Sequence, residues 1–398
     1  MDSRFRPSVV VGLVYASTAV VWTSYSLLSV CLPFRFQALG LSVFQYGVAI
    51  AAFALGMLAT ESVWGILAFR IGKLGIILGL GLAVYVLYVA IAMATTFLAL
   101  TISLALFGML IIFPVPLFRW MALIARGPGT EGSGSGRFGL AFGCGMVVGS
   151  AVGAFLYETF GFDALMEVIL ATYAVGLALM AILPWRQTQL PRSEPGTFSL
   201  VRRVMTPPFL YAAGLAVISY FSFTLIVNFL QIYSVGVFHG TPTDAGYVIG
   251  FARLTILVAG FLLGASVDRF GPGHIAPFGF LLAAVGAFGT LFSHSYAGMV
   301  GSTGVLAAGL GWLWDCLLPL GLTSIPRPLQ GTAVGVFGSF EDLGLLVGPI
   351  VLSGVYAIYG VESMFLLVGV LTLLGAVLAG AARLKRRDLS GSVLPPTK

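Results

Sequence analysis

Gly65-Ile-Leu-Ala-Phe-Arg-Ile-Gly72 and Gly264-Ala-Ser-Val-Asp-Arg-Phe-Gly271 are two versions of one short pattern, 199 positions apart. Each closes a long apolar run with glycine, arginine and glycine, as a helix does when it emerges at a polar surface. Phe160-Gly161-Phe162-Asp163 and Tyr359-Gly360-Val361-Glu362 repeat at the same offset of 199, and so do Gly145 with Gly344 and Gly149 with Gly348. One match could be chance. Several at a single offset indicate that the chain is a duplicated unit.

Composition says what kind of unit. Of 398 residues, 59% are hydrophobic and only 9% are charged, against about 25% charged in a soluble domain. Such a chain has too little polar surface to face water and must face lipid. There the backbone has to satisfy its own polar groups, which leaves helices or a closed barrel. A barrel would show short alternating segments. This chain has continuous apolar runs of about twenty residues, which is the length that spans a bilayer as a helix. We place spans near 9–31, 44–69, 74–94, 97–118, 138–160 and 163–184, then 209–233, 244–267, 273–293, 296–320, 331–356 and 362–382. The expected fold is an all-α membrane protein of twelve transmembrane helices in two pseudo-symmetric six-helix bundles.

The basic residues give the orientation independently. Arg4, Arg6, Arg70, Lys73, Arg119, Arg126, Arg137, Arg186, Arg192, Arg202, Arg203, Arg269 and Arg327 share one side only if the spans number twelve, and so does the tail from Arg383 to Arg387. Arg35 is the exception. Positive residues stay on the cytoplasmic side, so both termini are expected there, in a multi-pass protein of the cell's inner (plasma) membrane. The expected divisions are an N-terminal bundle at 1–184, a Pro- and Arg-rich cytoplasmic linker at 185–208, a C-terminal bundle at 209–383 and a cytoplasmic tail at 384–398, disordered after Arg387.

Function classes can be excluded on the same residues. The basic residues sit between apolar runs and form no nucleic-acid face. Cys31, Cys144 and Cys316 fall inside helices without metal-ligand spacing, so neither a metal nor another cofactor is expected. No P-loop or nucleophile–base arrangement is present, which argues against an enzyme and against ATP as the energy source.

Two parallel six-helix halves with a cytoplasmic loop motif after the second helix of each resemble the major facilitator superfamily. The family loop has the form G-x-L-a-D-r-x-G-r-k. The first copy keeps Gly65, Leu67, Arg70, Gly72 and Lys73 but has Phe69 in place of the aspartate; the second keeps Asp268, Arg269 and Gly271. The resemblance implies gating at Gly65, Arg70, Gly72, Asp268, Arg269 and Gly271, and a cavity lined by helices 1, 4, 7 and 10. Overall form is similar to the drug/proton antiporters. Their G-x-x-x-G-P-x-x-G-G pattern on helix 5 is reduced to Gly145, Gly149 and Gly153, with Ser150 where the proline belongs.

A charge inside the bilayer costs about 2.5–3.5 kcal/mol on insertion scales, so retained charges mark mechanism. Glu341, Asp342, Glu61 and Asp315 are the candidate proton carriers, because burial and like charge favour the protonated acid. Arg253, Tyr25, Trp22, Tyr220, Asn228 and Trp312 are the candidate substrate contacts. Arg253 is expected to pair with Glu341 or Asp342 in its own half. The expected activity is secondary transport of a small, amphipathic organic solute by a monomer in the lipid bilayer, proton-coupled and outward. The alternatives are an importer or facilitator of an organic anion held by Arg253, and a non-transporting sensor or scaffold.

Overall fold

The computed structural model describes residues 7–71, 74–113, 131–183, 198–326 and 329–391. Helix α1 is Pro7–Ala38, α2 Val43–Ile71, α3 Leu74–Met93 and α4 Phe97–Ile111. The next helical run, Glu131–Ile182, contains 52 residues. At 1.5 Å per residue it would measure about 78 Å, more than twice the hydrocarbon core, so it has to turn back. It does so at Gly161, with φ 83° and ψ 178°, which divides it into α5 (131–160) and α6 (162–182). Gly360 has φ 85° at the matching turn of the second half. Only glycine takes this conformation without strain, which is why this part of the repeat stayed legible in both copies.

A short helix, α7 (Phe198–Val204), lies inside the expected linker. The seventh span is α8 (Pro207–Thr224), a π-helical turn at Leu225–Phe229 and α9 (Leu230–Phe238). The remaining helices are α10 Pro242–Phe270, α11 Pro272–Leu291, α12 Tyr296–Leu322, α13 Gln330–Tyr359 and α14 Glu362–Gly391. Helix α14 thus runs to Gly391, beyond Arg387, after which the tail is expected to be disordered. Among the described residues, ten helical runs are long and apolar enough to cross a membrane. Counting the run kinked at Gly161 as two, and adding the shorter apolar α4, gives twelve spans, as expected.

Large apolar residues point outward along these helices: Met93, Leu98, Phe261 and Val377 are each at least 60% exposed. Serine and threonine at Ser17, Ser24, Ser150, Thr224, Thr303 and Thr372 are buried. The distribution is that of a protein whose surface meets lipid rather than water.

The chain forms two compact units. The first comprises Met1–Thr197, Thr224–Leu254 and Leu345–Val361; the second comprises Phe198–Phe223, Thr255–Gly344 and Glu362–Lys398. Glycines decide the close approaches inside each. In the first, Gly56 of α2 sits on Ala105 O of α4, and Gly108 of α4 on Phe53 O of α2. Gly145, Gly149 and Gly153 of α5 lie on Ala19, Thr23, Ser26 and Leu27 of α1; a Cβ at Gly149 would stand 2.6 Å from Thr23 O. In the second, Gly311 of α12 meets Ile256 O of α10 at 2.5 Å from such a Cβ, Gly309 meets Ala283 of α11, and Gly375 of α14 meets the Phe280 ring. Backbones approach this closely in membranes because small residues leave dispersion and carbonyl contacts room.

The seventh, eighth and eleventh spans contribute segments to the first unit, at the ends that carry few basic residues. Helix α10 reaches α5 through Gly246, whose Cβ position would lie 2.8 Å from Ser150 O and against the Ala154 methyl. Helix α2 reaches α13 through Gly47, which would meet Ser353 and, at 2.6 Å, Pro349 O. At the Arg-poor end, a cavity of about 460 Å³ is lined by Phe36, Gln37, Tyr46, Ile232 and Tyr356, among others.

Candidate substrate-binding site

Three helices bring the candidate site together. Gly246 and Gly250, one turn apart, let α10 lie along α5, with Gly250 facing Val147 O and Ala151. Gly145, Gly149 and Gly153 let the same helix α5 lie along α1. One turn beyond Gly250, Arg253 enters the groove so formed. It is 6% exposed.

Its guanidinium finds hydroxyls. Nη1 donates to Ser26 Oγ at 2.6 Å, to Ser150 Oγ at 2.5 Å and to Met146 O at 3.3 Å, and Nη2 donates to Ser29 Oγ at 3.3 Å. The serines are themselves held: Ser26 Oγ donates to Met146 O at 2.6 Å and Ser150 Oγ to the same carbonyl at 2.8 Å. Arg253 Nε is buried and has no hydrogen-bond partner among the described residues. A guanidinium has five N–H donors in a planar fork. Here the Nη1 corner is saturated, and the edge formed by Nε and Nη2 is nearly free. The expected acid partner is replaced by serines, because α10 turns this face to α5 and α1. Glu341 and Asp342 belong to the second unit.

Aromatic rings adjoin the serines on α1. Trp22, Ser26 and Ser29 are spaced to share one helix face. The Trp22 ring meets Phe142 at 4.4 Å and Tyr25 at 5.4 Å, both edge-on. Tyr25 stacks on Phe53 at 5.7 Å, and Tyr88 meets Phe107 at 4.7 Å while sharing a 3.2 Å hydrogen bond with Ser24. The Tyr46 ring stands between Phe36 and Phe229, at 5.4 and 6.0 Å, with its hydroxyl buried and without a partner among the described residues. Asn228 is half-buried within the π-helical turn. π-turns often mark functional sites, and the sequence gives no sign of this one.

Of the expected substrate contacts, Arg253, Tyr25, Trp22 and Asn228 are thus in the first unit, and Tyr220 and Trp312 in the second. Tyr220 stacks on Trp314 at 5.7 Å, and Trp312 Nε1 donates to Ser266 Oγ at 3.0 Å. The candidate proton carriers differ in exposure. Asp342 is buried, Glu341 half-buried and Asp315 exposed, with its carboxylate beside Gly260. The side chain of Glu61 lies outside the described residues. So do Gly72 and the side chains of Arg70 and Asp268. Arg269 is exposed with its guanidinium 5.3 Å from the Phe270 ring centre, and Gly271 breaks the helix with φ 82°.

The sequence reading misses the three serines, since isolated serines in membrane helices carry no pattern. One signal was available. Ser150 stands where the drug-exporter pattern has proline, and its hydroxyl is what meets Arg253.

The sequence profile of the major facilitator superfamily matches residues 14–265 and again 212–397, so each half satisfies it. The chain belongs to the major facilitator superfamily. It is a membrane transporter of that superfamily, not an enzyme. Among characterised relatives, it is 28% identical over 330 residues to the 3-(3-hydroxy-phenyl)propionate transporter of Escherichia coli, covering 79% of this chain and 78% of the relative. Solved superfamily members share the fold. A bacterial homologue of the human lysosomal transporter Spinster, in an inward-facing, unoccupied conformation, superposes with a TM-score of 0.77 at 14% identity, over 99% of this chain and 100% of the other. The human organic anion transporter MFSD10 gives a TM-score of 0.66 at 18% identity, over 94% and 100%. The nucleoside transporter NupG gives 0.75 at 14%, over 94% and 98%.

Proposed function

We propose that this superfamily member is a secondary active transporter of small aromatic carboxylates, moved by alternating access and coupled to protons. One observation carries the proposal: Arg253 is buried mid-membrane, none of its hydrogen-bond acceptors among the described residues is a carboxylate, and its buried Nε has no partner among them. A buried cation balanced only by hydroxyl and carbonyl dipoles is costly. A carboxylate that docks on the Nε/Nη2 edge forms two charge-assisted bonds and removes that cost. Trp22 and Tyr25, with Phe142, Phe53 and Phe107 around them, supply apolar, planar surface for the rest of the solute. The relative that transports a hydroxyphenylpropionate and the fold neighbour described as an organic anion transporter point to the same chemistry. Export of an uncharged amphipath, the direction expected from overall resemblance to drug exporters, would leave Arg253 without an anion.

Coupling is assigned to the acids of the second unit, Glu341 and Asp342, with Asp315 and with Glu61 of α2. Protonating one of them as the anion binds offsets the charge carried across. The distribution of Lys and Arg puts both termini in the cytoplasm and the Arg-poor helix ends outside, and the working unit is a single chain. The test is uptake of 3-phenylpropionate into proteoliposomes with an acid exterior. The wild type accumulates it only while the pH gradient lasts, and Arg253→Gln does not. Uptake by Arg253→Gln at the wild-type rate, or uptake indifferent to the gradient, would sink the proposal.

A further inference from the structure

We infer that Ser26 and Ser150, with Ser29, are positioning residues that make anion recognition and closure of the Arg-poor end one event. The inference rests on Arg253 being the carboxylate contact proposed above. Ser26 and Ser29 are on α1 and Ser150 on α5, whereas Arg253 is on α10. The four groups meet only while α10 lies against α5 and α1. That approach is the same one made by Gly246 on Ala154 and Ser150, by Gly250 on Val147 and Ala151, and, at the helix ends, by the Thr243 amide donating to a Glu158 carboxylate oxygen at 2.8 Å.

The geometry divides the guanidinium in two. Two serine hydroxyls and a carbonyl occupy Nη1, so rotation about the Nε–Cζ bond and swing of the long side chain are both stopped. The edge left over, Nε with the weakly held Nη2, has the fork spacing that a carboxylate matches. When α10 moves off α5, the serines lose the guanidinium and the fork is no longer aimed. The aligned site therefore binds the anion better than the loosened one. By reciprocity, the bound anion favours the seam being shut.

The experiment uses the purified full-length protein in detergent, with 3-phenylpropionate as the anionic probe and 3-phenylpropionamide as its uncharged counterpart. Ser26→Ala and Ser150→Ala remove one oxygen each and add no volume beside Gly149. A cysteine at Ala151, in a Cys144→Ala background, reports opening of the seam by its rate of maleimide labelling. The inference expects each serine variant to weaken 3-phenylpropionate binding roughly tenfold or more, the scale of a lost charge-assisted hydrogen bond. Binding of 3-phenylpropionamide stays as it was, and labelling at position 151 speeds up. 3-Phenylpropionate slows the labelling of the parent but not of the serine variants. In an Arg253→Gln background, the serine substitutions add nothing further.

Wild-type affinity for the carboxylate in both serine variants, or tighter binding, overturns the inference while leaving Arg253 as the anion contact. So does an equal loss for acid and amide, or a serine effect that persists without the arginine, because either would make the serines structural only. If Arg253→Gln itself binds 3-phenylpropionate normally, the carboxylate site fails and the inference falls with it.

Discussion

Two seams in the first unit are built alike and furnished differently. In one, Gly246 of α10 sits on Ala154 and Ser150 O of α5. In the other, Gly47 of α2 sits on Ser353 and Pro349 O of α13. Each of these residues matches its counterpart at the repeat offset: Gly47 with Gly246, Ser150 with Pro349, Ala154 with Ser353. Two turns further along, the likeness ends. Arg253 corresponds to Ala54, Ser26 to Leu225 and Ser29 to Asn228, and in the glycine layer itself the Ser150 hydroxyl has only Pro349 as its counterpart. The duplicated plan kept glycine where two backbones touch, since any side chain there strikes a carbonyl. It was free to diverge one layer deeper, where side chains fill space, and there one seam acquired a cation with three hydroxyls while the other stayed nearly apolar.

The largest effect is expected from the shared glycines. Gly246→Leu and Gly47→Leu each put a branched side chain against a backbone carbonyl and should abolish transport in proteoliposomes, to below about 1% of wild type. Loss in one variant but not the other would show that only one seam has to close. Next is the chemistry that separates the seams. Arg253→Gln should cost about 2–3 kcal/mol of carboxylate binding, or roughly 30- to 150-fold in affinity by calorimetry. Ala54→Arg, which places a cation at the buried position that matches Arg253 at the repeat offset, should lower Tm and create no second anion site.

A third, intermediate effect tests the acids. Glu341→Gln or Asp342→Asn should uncouple uptake from the pH gradient while leaving counterflow exchange of 3-phenylpropionate intact. Wild-type coupling in both, and in Glu61→Gln, would leave these residues with structural roles. Smaller still, Gly161→Ala and Gly360→Ala should each cost about 1–3 kcal/mol, the strain of a non-glycine residue held at such a positive φ, and should lower Tm by similar amounts if the two turns are equivalent. The smallest effect is at the rim. Glu158→Gln replaces an exposed carboxylate that caps the first turn of α10, where the other seam has Ala357 and Phe44. It should shift Tm by no more than about 2 °C.

The helix count, the duplication and the turns at Gly161 and Gly360 could all be read from the chain, because each is a one-dimensional signal: run length, offset, and glycine where φ must be positive. The kink at Gly161 and the break at Gly271 followed from residues already singled out. Arg253 was legible as well, as a charge roughly 21 Å into a span at 1.5 Å per residue. Its partners were not. Ser26, Ser29 and Ser150 lie more than 100 positions away in sequence and belong to helices whose rotation about their own axes is set by Gly145, Gly149 and Gly153. A helix rotated by one residue, about 100°, would have turned Arg253 elsewhere. The π-helical turn around Asn228 was hidden for a similar reason, since its residues are ordinary helix formers.

The sequence alone determined that this chain enters a membrane as two related six-helix bundles, because apolar runs too long for a soluble core have only lipid to face. It also determined that one half carries most of the buried charge. Only the tertiary structure decided what that charge meets. Partner choice depends on which faces of α1, α5 and α10 are turned together, and that follows from glycine-to-backbone contacts between helices distant in the chain, which no local pattern records.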